Sequence, residues 1–368
     1  MPADRSSYAS RRARTAERCR DRGFAGLVVG PGSDLTYLTG YRIPPSERLT
    51  ALVLGSDGDA ALVVPALEAA RAEASAPDLA LRMWQETDDP CALVATAIRD
   101  RGPIGLSDQL WAAFVLRLQA AFPDRAFRPA SDITRELRIR KDRAELDALR
   151  AVSAAADRAY RRVLERPFAR RSERDIAAAL AELLRAEGHD EVLFTIVAAG
   201  PDGASPHHQT GDRRLSEGDA VVLDFGGTRD HYTSDITRTV HVGAAVGDDL
   251  RRVHGVVRRA QDAAYVAARA GATCASVDAA ARAVIGEAGF GERFIHRTGH
   301  GIGLDGHEHP YLVAGNDERL EAGMAFSIEP GIYLPGRFGV RIEDIAVIAE
   351  DGRAEPLNHA DRDLAIVA

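Results

Sequence analysis

Two aspartates in the middle of the chain lie at the edges of apolar runs, where a charged side chain is unusual. Asp224 ends the run Val221–Leu223, and Asp235 follows eleven positions later within Tyr232–Thr239. The two segments predict the arms of a hairpin, which would bring both carboxylates to one face of a sheet. Because paired buried carboxylates repel each other unless protons or cations intervene, this spacing indicates a cation site.

A second acidic pair has the same setting nearer the C-terminus. Glu329 closes the apolar run Ala325–Ile328, and Glu343 lies fourteen positions later, across a proposed strand pair. Between the two acidic pairs, His300 lies in the glycine-rich segment His296–Gly303. Glycines let a backbone approach a site closely. The chain therefore offers four carboxylates and one imidazole in five short segments.

Such a set of side chains favours a dinuclear metal site. Four carboxylates balance two divalent cations, and a bridging hydroxide then leaves a partly buried cluster near neutrality. Carboxylates with one imidazole suit Mn²⁺, Co²⁺, Zn²⁺ or Fe²⁺ and argue against thiolate-bound metals. Each residue alone has an ordinary explanation: a turn-forming acid, a loop histidine, or a solvated pair at Glu343 and Asp344. Their joint occurrence in this order favours the metal site.

Helix pairs and strand pairs alternate around these residues. An amphipathic helix is predicted over Asp142–Glu165. Ser172, with Asp175 three positions on, predicts the capping box of a second helix that ends at Gly188. The remaining elements are helices over Asp249–Ala270 and Ser276–Ala288, and strands over Ala220–Phe225, Ile236–Val242, Ala325–Ile328 and Val340–Ile348. This order predicts an internal duplication of structure.

The first third of the chain predicts an α/β unit with a mixed sheet. A helix over Arg11–Asp21 precedes a strand at Gly26–Val29. The runs Ala51–Leu54 and Ala60–Val64 flank a turn and predict a hairpin. Helical patterns follow at Leu67–Ala74, Pro90–Arg101 and Leu110–Ala121. We place the boundary near residues 135–142, which predicts domains at 1–138 and 139–368.

Composition narrows the class of protein. The chain has 368 residues, of which 45% are hydrophobic and 28% are charged, and this is enough apolar material for two hydrophobic cores. The net charge of −8 disfavours nucleic acid or an anionic membrane as a partner. The three cysteines are odd in number and far apart, which disfavours a disulfide framework and favours a cytoplasmic location. The Arg-rich N-terminus precedes no apolar run, so we expect neither a secretory signal nor a membrane span.

Five segments together resemble the pita-bread metallopeptidases, in the Xaa-Pro dipeptidase and aminopeptidase P branch. They are LDFG, SDITRT, GHGIGL, IEPG and GVRIED. The resemblance covers Asp142 to the C-terminus, and the first domain, including Tyr37–Gly40, resembles the family's creatinase-like N-terminal domain. It implies an α/β N-terminal domain followed by an α+β pita-bread domain with internal pseudo-duplication.

The resemblance also implies a division of labour among the ligands. Asp224 would bind one ion in bidentate fashion, while Asp235 and Glu343 would bridge both ions. His300 and Glu329 would complete the other ion, and Glu329 would act as general base toward the attacking water. The implied cofactor is a pair of divalent ions, with Mn²⁺ or Co²⁺ favoured over Zn²⁺ or Fe²⁺, and the nucleophile is a metal-bridging hydroxide.

Further catalytic positions are implied by the same resemblance. His207, in the segment Ser205–His208, matches the family's Pro-His histidine better than its neighbour His208, which we interpret as a surface histidine. His307 matches a histidine that contacts the scissile bond. Gly306 departs from the family, where a β-branched residue commonly stands, and makes the local strand less certain.

Three residues complete the expected site. His296 matches a position on a mobile loop near the proline site, and Arg341 matches a basic residue that anchors substrate or orients the cluster. Tyr333 stands where the family often has an aromatic residue, with core packing as its alternative role.

The implied activity is hydrolysis of the peptide bond before proline, and the choice between Xaa-Pro dipeptidase and aminopeptidase stays open. One alternative is a metal-dependent amidohydrolase on a small non-peptide C–N substrate, as in ectoine hydrolysis. Another is a non-catalytic peptide-binding module, which the intact ligand set disfavours. The expected partners are an Xaa-Pro peptide and, by resemblance, a second copy in a homodimer.

Overall fold

Alternating apolar and helical segments at the start of the chain fold around a six-stranded sheet. The computed structural model describes residues 5–368, and its first unit ends at Arg138. The elements of this unit are α1 (Arg5–Asp21), β1 (Gly26–Val29), α2 (Ser33–Thr39), β2 (Ala51–Gly55), β3 (Ala60–Pro65), α3 (Ala69–Ser75), β4 (Ala80–Trp84), α4 (Pro90–Ala95), β5 (Ile104–Leu106), α5 (Ala112–Ala121), β6 (Phe127–Pro129) and α6 (Ser131–Arg138).

The sheet of the first unit is mixed, as predicted. Its strand order is β4-β3-β2-β1-β5-β6, with β1, β2 and β3 antiparallel and the outer pairs parallel. One helix is shorter than predicted: the pattern over Pro90–Arg101 forms α4 only as far as Ala95. The hydroxyl of the next residue, Thr96, donates to the Leu93 carbonyl at 2.8 Å, and such a bond competes with helix continuation.

The second unit, residues 139–368, repeats helices and strands in the predicted order. Its elements are α7 (Arg143–Val163), α8 (Glu173–Ala186), β7 (Glu191–Ala199), β8 (Ala220–Arg229), β9 (Tyr232–Val242), α9 (Asp248–Ala267), α10 (Cys274–Glu287), β10 (Gly299–Gly301), β11 (Glu308–Leu312), β12 (Ala325–Ile328), β13 (Gly331–Leu334), β14 (Phe338–Arg341), β15 (Asp344–Ile348), β16 (Ala354–Pro356) and β17 (Ala365–Val367). A 3₁₀ turn, Gly200–Ala204, follows β7.

Both helices of the first pair, α7 and α8, begin with a capping box. The Asp142 carboxylate accepts from the Glu145 N–H at 2.9 Å, and the Glu145 side chain accepts from the Asp142 N–H. Ser172 and Asp175 form the same capping box at α8, as predicted. Gly188, just past the helix, adopts φ +102°, a conformation that favours glycine.

The second unit has two larger sheets, each covered by one helix pair, and a two-stranded sheet of β13 and β14. The sheet β17-β9-β8-β7 packs on α7 and α8, and the sheet β11-β10-β12-β15-β16 packs on α9 and α10. The stretch Val340–Ile348, predicted as strand, is broken after Arg341. Its break has a physical cause: the Glu343 N–H turns away to bond the Thr237 carbonyl of the other sheet at 3.0 Å.

Neither a membrane-spanning helix nor a disulfide is present within residues 5–368. Within residues 5–368 there is no helix with both the length and the hydrophobicity needed to cross a membrane. Cys19, Cys91 and Cys274 are buried free thiols.

Candidate metal centre

Strand alternation brings Asp224 and Asp235 to one face of the β8–β9 hairpin. Asp224 pairs with Thr237 and Gly226 pairs with Asp235, so the two acids are diagonal neighbours. On the opposite face, Leu223 and Ile236 pack against the helices. Because side chains alternate along a strand, burying the apolar residues beneath the helices turns the acids toward the other sheet.

The second sheet supplies the remaining three side chains. Glu329 and Glu343 lie just beyond the last pair of β12 and β15, Ile328 with Asp344. His300 lies on β10, the neighbour of β12, and its N–H donates to the Ser327 hydroxyl at 3.0 Å. Three adjacent strands therefore end or turn where the hairpin acids point.

The five predicted ligands form one cluster. Donor atoms of Asp224, Asp235 and Glu343 lie within 4.8 Å of one another, and so do those of His300, Glu329 and Glu343. The His300 Nε2 lies 3.4 Å from Glu329 Oε1 and 3.8 Å from Asp235 Oδ2. Glu343 belongs to both groups, and Asp235 approaches His300 as well. The donor atoms therefore fall into two overlapping groups that have Glu343 in common.

One buried oxygen of the cluster lacks a partner. Asp235 is 5% exposed, and its Oδ1 has no hydrogen-bond donor within residues 5–368. Burying a carboxylate oxygen without a donor is costly, because water no longer solvates it. A cation would satisfy that oxygen, and a set of four carboxylates with one imidazole suits hard or borderline divalent ions.

Burial shifts the protonation of the cluster in opposite directions. Desolvation, reinforced by the neighbouring acids, raises the pKa of Asp235 and Glu343 well above the usual range, and burial raises the pKa of Glu329 to about 7. Burial, with His307 nearby, lowers the pKa of His300 to about 3. Neutral His300 offers a lone pair, and positive charge beside the acids would favour their ionised forms.

Hydrogen bonds define which nitrogen of each histidine bears the proton. His300 Nδ1 lies 3.1 Å from the Gly301 carbonyl, which only accepts, so Nδ1 donates and Nε2 keeps its lone pair toward the acids. His307 Nδ1 lies 3.0 Å from Arg297 Nη2, which only donates, so the proton of neutral His307 is on Nε2. The first tautomer suits a metal ligand, and the second leaves an N–H donor.

Arg341 links the cluster to a tyrosine. Its Nη2 donates to Asp224 Oδ2 at 2.5 Å, its Nη1 to the Tyr333 hydroxyl at 2.8 Å, and its Nε to Thr237 Oγ1 at 3.1 Å. His296 Nδ1 donates to the Arg297 carbonyl, so its Nε2 accepts from Tyr333 at 2.8 Å. The Asp224 oxygen retains a second lone pair, which leaves bidentate metal binding open to it.

Comparison with models of known protein families shows which family contains this chain. Metallopeptidase family M24 matches residues 147–350, and the Creatinase/Prolidase N-terminal domain matches residues 11–140. The chain belongs to metallopeptidase family M24. It is 49% identical to a Mycobacterium tuberculosis protein named "Probable dipeptidase PepE", over 99% of this chain and 98% of that protein.

Two further M24 relatives match over nearly their whole length. The chain is 36% identical to the Xaa-Pro dipeptidase of Lactobacillus delbrueckii subsp. lactis, over 95% of this chain and 96% of that protein. The crystal structure of dipeptidase PepE from Mycobacterium ulcerans superimposes with a TM-score of 0.94 at 46% identity and covers all of both chains. These matches confirm the predicted fold, an α/β N-terminal domain with an α+β pita-bread domain. They also confirm the prediction that the protein is a metallopeptidase.

The other predicted site residues lie around the rim of the M24 cluster. The rings of His300 and His307 are 3.8 Å apart, and His307 immediately precedes β11, past the bend at Gly306. Burial lowers the pKa of His296 to about 4, and His207, exposed to solvent, adds to this effect. The structure brings His296, His307 and Arg341 into contact with the cluster or its partners, while His207 has no hydrogen bond to them within residues 5–368.

Two interpretations from the sequence need correction or completion. His208 is not a free surface histidine, because its Nε2 lies 2.7 Å from the buried Glu173 carboxylate. Tyr333 is 2% exposed, and its hydroxyl connects Arg341 to His296, so the residue contributes to both packing and the site.

Sequence reasoning missed two residues of the site. Thr237 donates to Glu343 Oε2 at 2.6 Å, and its position two residues after Asp235 on the same strand face could have identified it. Arg297 stacks over the Tyr311 ring, 4.5 Å from its centroid, beside His307. Its location inside the glycine-rich segment was the available signal.

Proposed function

We propose that this M24 peptidase hydrolyses the peptide bond that precedes proline and that Xaa-Pro dipeptides are its substrates. The observation that carries the hydrolytic chemistry is the buried cluster of four carboxylates around a neutral imidazole, with the unpartnered Asp235 oxygen at its centre. The named Xaa-Pro dipeptidase relative, matched over 95% of this chain, supports the choice of proline.

Two divalent cations are the proposed cofactor. Asp224 would be a ligand of one ion and His300 with Glu329 of the other, while Asp235 and Glu343 would be shared, in keeping with the two overlapping donor groups. When bound, such ions lower the pKa of water and polarise a carbonyl oxygen. We expect both ions to be Mn²⁺ or both to be Co²⁺, with Zn²⁺ or Fe²⁺ as the alternative, because carboxylate oxygens outnumber imidazole nitrogens among the ligands.

Glu329 is the proposed general base. Its Oε1 accepts from the Ser327 hydroxyl at 3.3 Å, which fixes the carboxylate at the edge of the cluster. It would take a proton from the attacking water and return it to the leaving nitrogen. Every leaving amine needs this proton, and in an Xaa-Pro bond it becomes the only hydrogen on the proline nitrogen.

The rim supplies donors for the rest of the substrate. Neutral His307 presents Nε2–H beside the His300 ring, and Arg297 holds its other nitrogen. The Arg297 side chain hydrogen-bonds His307, and its other guanidinium N–H groups have no hydrogen-bond partner within residues 5–368. A half-exposed cation at this point suits the free carboxylate of a dipeptide, which supports dipeptidase over aminopeptidase activity.

The Glu329→Gln variant tests the assignment of the base. Glutamine keeps the shape but cannot accept a proton, so we expect turnover to fall by at least about a hundredfold while the fold persists. Steady-state kinetics of Ala-Pro hydrolysis, with circular dichroism as the check on folding, measure both. Unchanged turnover would refute the role of Glu329 as base.

A substrate panel tests the activity itself. Protein stripped of metal and reloaded with Mn²⁺ or Co²⁺ is given Ala-Pro, Ala-Ala, Ala-Pro-Ala and an N-acetylated diamine, with metal content measured in parallel. We expect cleavage of Ala-Pro above the others. Cleavage of Ala-Pro-Ala alone would replace dipeptidase by aminopeptidase, and cleavage of the diamine alone would favour the amidohydrolase. The homodimer inferred from the resemblance stays a prediction.

A further inference from the structure

A buried carboxylate outside the metal centre holds the segment that contains His207. Glu173, the first residue of α8, is fully buried. Its Oε1 accepts from the Ala199 N–H at 2.8 Å, and its Oε2 accepts from the Gly211 N–H at 3.0 Å. His208 Nε2 lies 2.7 Å from the same Oε2. We call residues 200–211 the His207 loop.

The other end of the His207 loop is held by close backbone packing. Gly203 lies against Gly339 of β14, where an added Cβ on Gly339 would come within 1.8 Å of the Gly203 carbonyl oxygen. The same strand ends in Arg341, which binds Asp224. The loop therefore runs from the strand that contacts the cluster to the Glu173 carboxylate, with His207 between the two anchors.

Glu173, Asp202 and His208 also have donor atoms within 4.8 Å of one another, which raises the question of a second cation site. Glu173 differs from Asp235 in the centre, because both of its oxygens already accept N–H donors. The oxygen facing His208 has its two lone pairs used, one by His208 and one by Gly211. The contacts are those of a fully satisfied carboxylate and need no cation.

We propose that the Glu173–His208 pair positions His207 for the reaction. The inference rests on the proposed function, since it deepens the account of the same site. His208 is adjacent to His207 in the chain, so fixing one imidazole against a buried carboxylate restricts the backbone of the other. Burial, with His207 among the lesser causes, lowers the pKa of both His296 and His307.

A double-mutant cycle tests whether His208 acts through His207. His207→Ala is expected to lower kcat for Ala-Pro by about a hundredfold, within the range for loss of an acid–base or positioning group. His208→Ala should lower kcat about tenfold with unchanged metal content, because a misplaced group loses part of its effect. The double variant should equal His207→Ala alone, since nothing remains to be positioned.

Two further variants are matched controls. His208→Gln keeps an N–H donor toward Glu173 and should restore kcat to within about threefold of the parent protein. Arg174→Ala removes only an exposed pair with Asp212, next to Glu173, and should leave kcat unchanged. Multiplicative losses in the double variant, or full activity in His208→Ala, would overturn the inference, and so would loss of bound metal in His208→Ala.

Hydrogen exchange of the backbone at residues 205–211 gives a readout independent of catalysis. Exchange should be faster in His208→Ala than in the parent protein and normal in His208→Gln and Arg174→Ala. Equal protection from exchange in His208→Ala and the parent protein would refute the proposal that the Glu173–His208 pair holds the His207 loop. If the parent protein, loaded with metal, cleaves no Xaa-Pro substrate, the proposed function fails while the exchange experiment still decides whether Glu173 holds the loop.

Discussion

Asp235 and Glu173 are both buried carboxylates of the same domain, and their surroundings differ in one decisive way. Glu173 accepts two backbone N–H groups and pairs with His208, whereas one oxygen of Asp235 has no donor within residues 5–368. Asp235 also lies beside Asp224 and Glu343, and repulsion from Asp224 and Glu329 adds to burial in raising its pKa. A satisfied carboxylate stabilises the fold on its own, while an unsatisfied one among acids needs a ligand from outside the chain.

The Asp235→Asn variant should have the largest effect on activity. Asparagine removes a shared negative charge, so we expect loss of metal and at least about a thousandfold lower kcat/KM. The metal-free variant should be at least as stable as the metal-free parent, because repulsion with Asp224 and Glu329 is relieved. Metal analysis, kinetics and urea denaturation measure the three quantities. A variant that retains both ions and activity contradicts the proposed bridge.

The same substitution at Asp344 should destabilise the fold, whereas at Asp235 it should not destabilise the metal-free protein. Asp344 follows Glu343 but points to the opposite face, where its Oδ1 lies 2.6 Å from Arg238 Nη2 and its Oδ2 accepts from Gln261 at 3.1 Å. Asp344→Asn leaves the buried Arg238 without its counter-charge, and we expect a loss of about 3–5 kcal/mol in the free energy of unfolding. Urea denaturation checks this.

The control for Asp344 is Asp351→Asn, which removes an exposed acid beside Arg353. It should change the free energy of unfolding by less than about 0.5 kcal/mol. Equal effects at the two positions would show that burial does not separate them.

The stability of the metal-free protein should fall as pH rises. Burial raises the folded pKa of Glu329 from 4.5 to about 7 and raises those of Asp235 and Glu343 in the same direction. The folded state then binds more protons than the unfolded state, so the contribution of Glu329 is complete below pH 4.5 and is lost as pH rises through 7. Bound cations should reverse this trend, because protons compete with them for the carboxylates.

Thermal denaturation between pH 5 and pH 8, with chelator and with Mn²⁺, measures how the stabilities of the metal-free and metal-bound protein differ at each pH. The difference is informative because other shifted groups contribute to both curves. Burial lowers the pKa of His254 to about 4, for example, which costs stability as pH falls below 6.5 whether or not metal is present. Parallel curves would argue against a cation site at these carboxylates.

The four acids and the imidazole of the centre were predictable because each stands in a short, specific motif, at the edge of an apolar run or, for His300, among glycines. The partners that distinguish Glu173 from Asp235 were not. His208 meets Glu173 across 35 residues, and Thr237 meets Glu343 across 106, so these contacts depend on tertiary packing and loop path. The break before Glu343 had the same origin, since a hydrogen bond to the other sheet outweighed the local β propensity of Val340–Ile348.

Two arginines show the same contrast between satisfied and spare groups, and the smallest effect is expected there. Arg341 is 4% exposed and its side chain hydrogen-bonds Asp224, Tyr333 and Thr237, whereas the guanidinium of Arg297 hydrogen-bonds only His307 within residues 5–368. Arg297→Gln should therefore raise KM for Ala-Pro about ten- to hundredfold, the range for one charge-assisted hydrogen bond, with little change in kcat. It should have little effect on KM for Ala-Pro amide, which lacks the carboxylate. Equal increases for both substrates would mean that Arg297 orients His307 instead of binding the substrate's carboxylate, and the argument for a dipeptidase would then rest on the relatives alone.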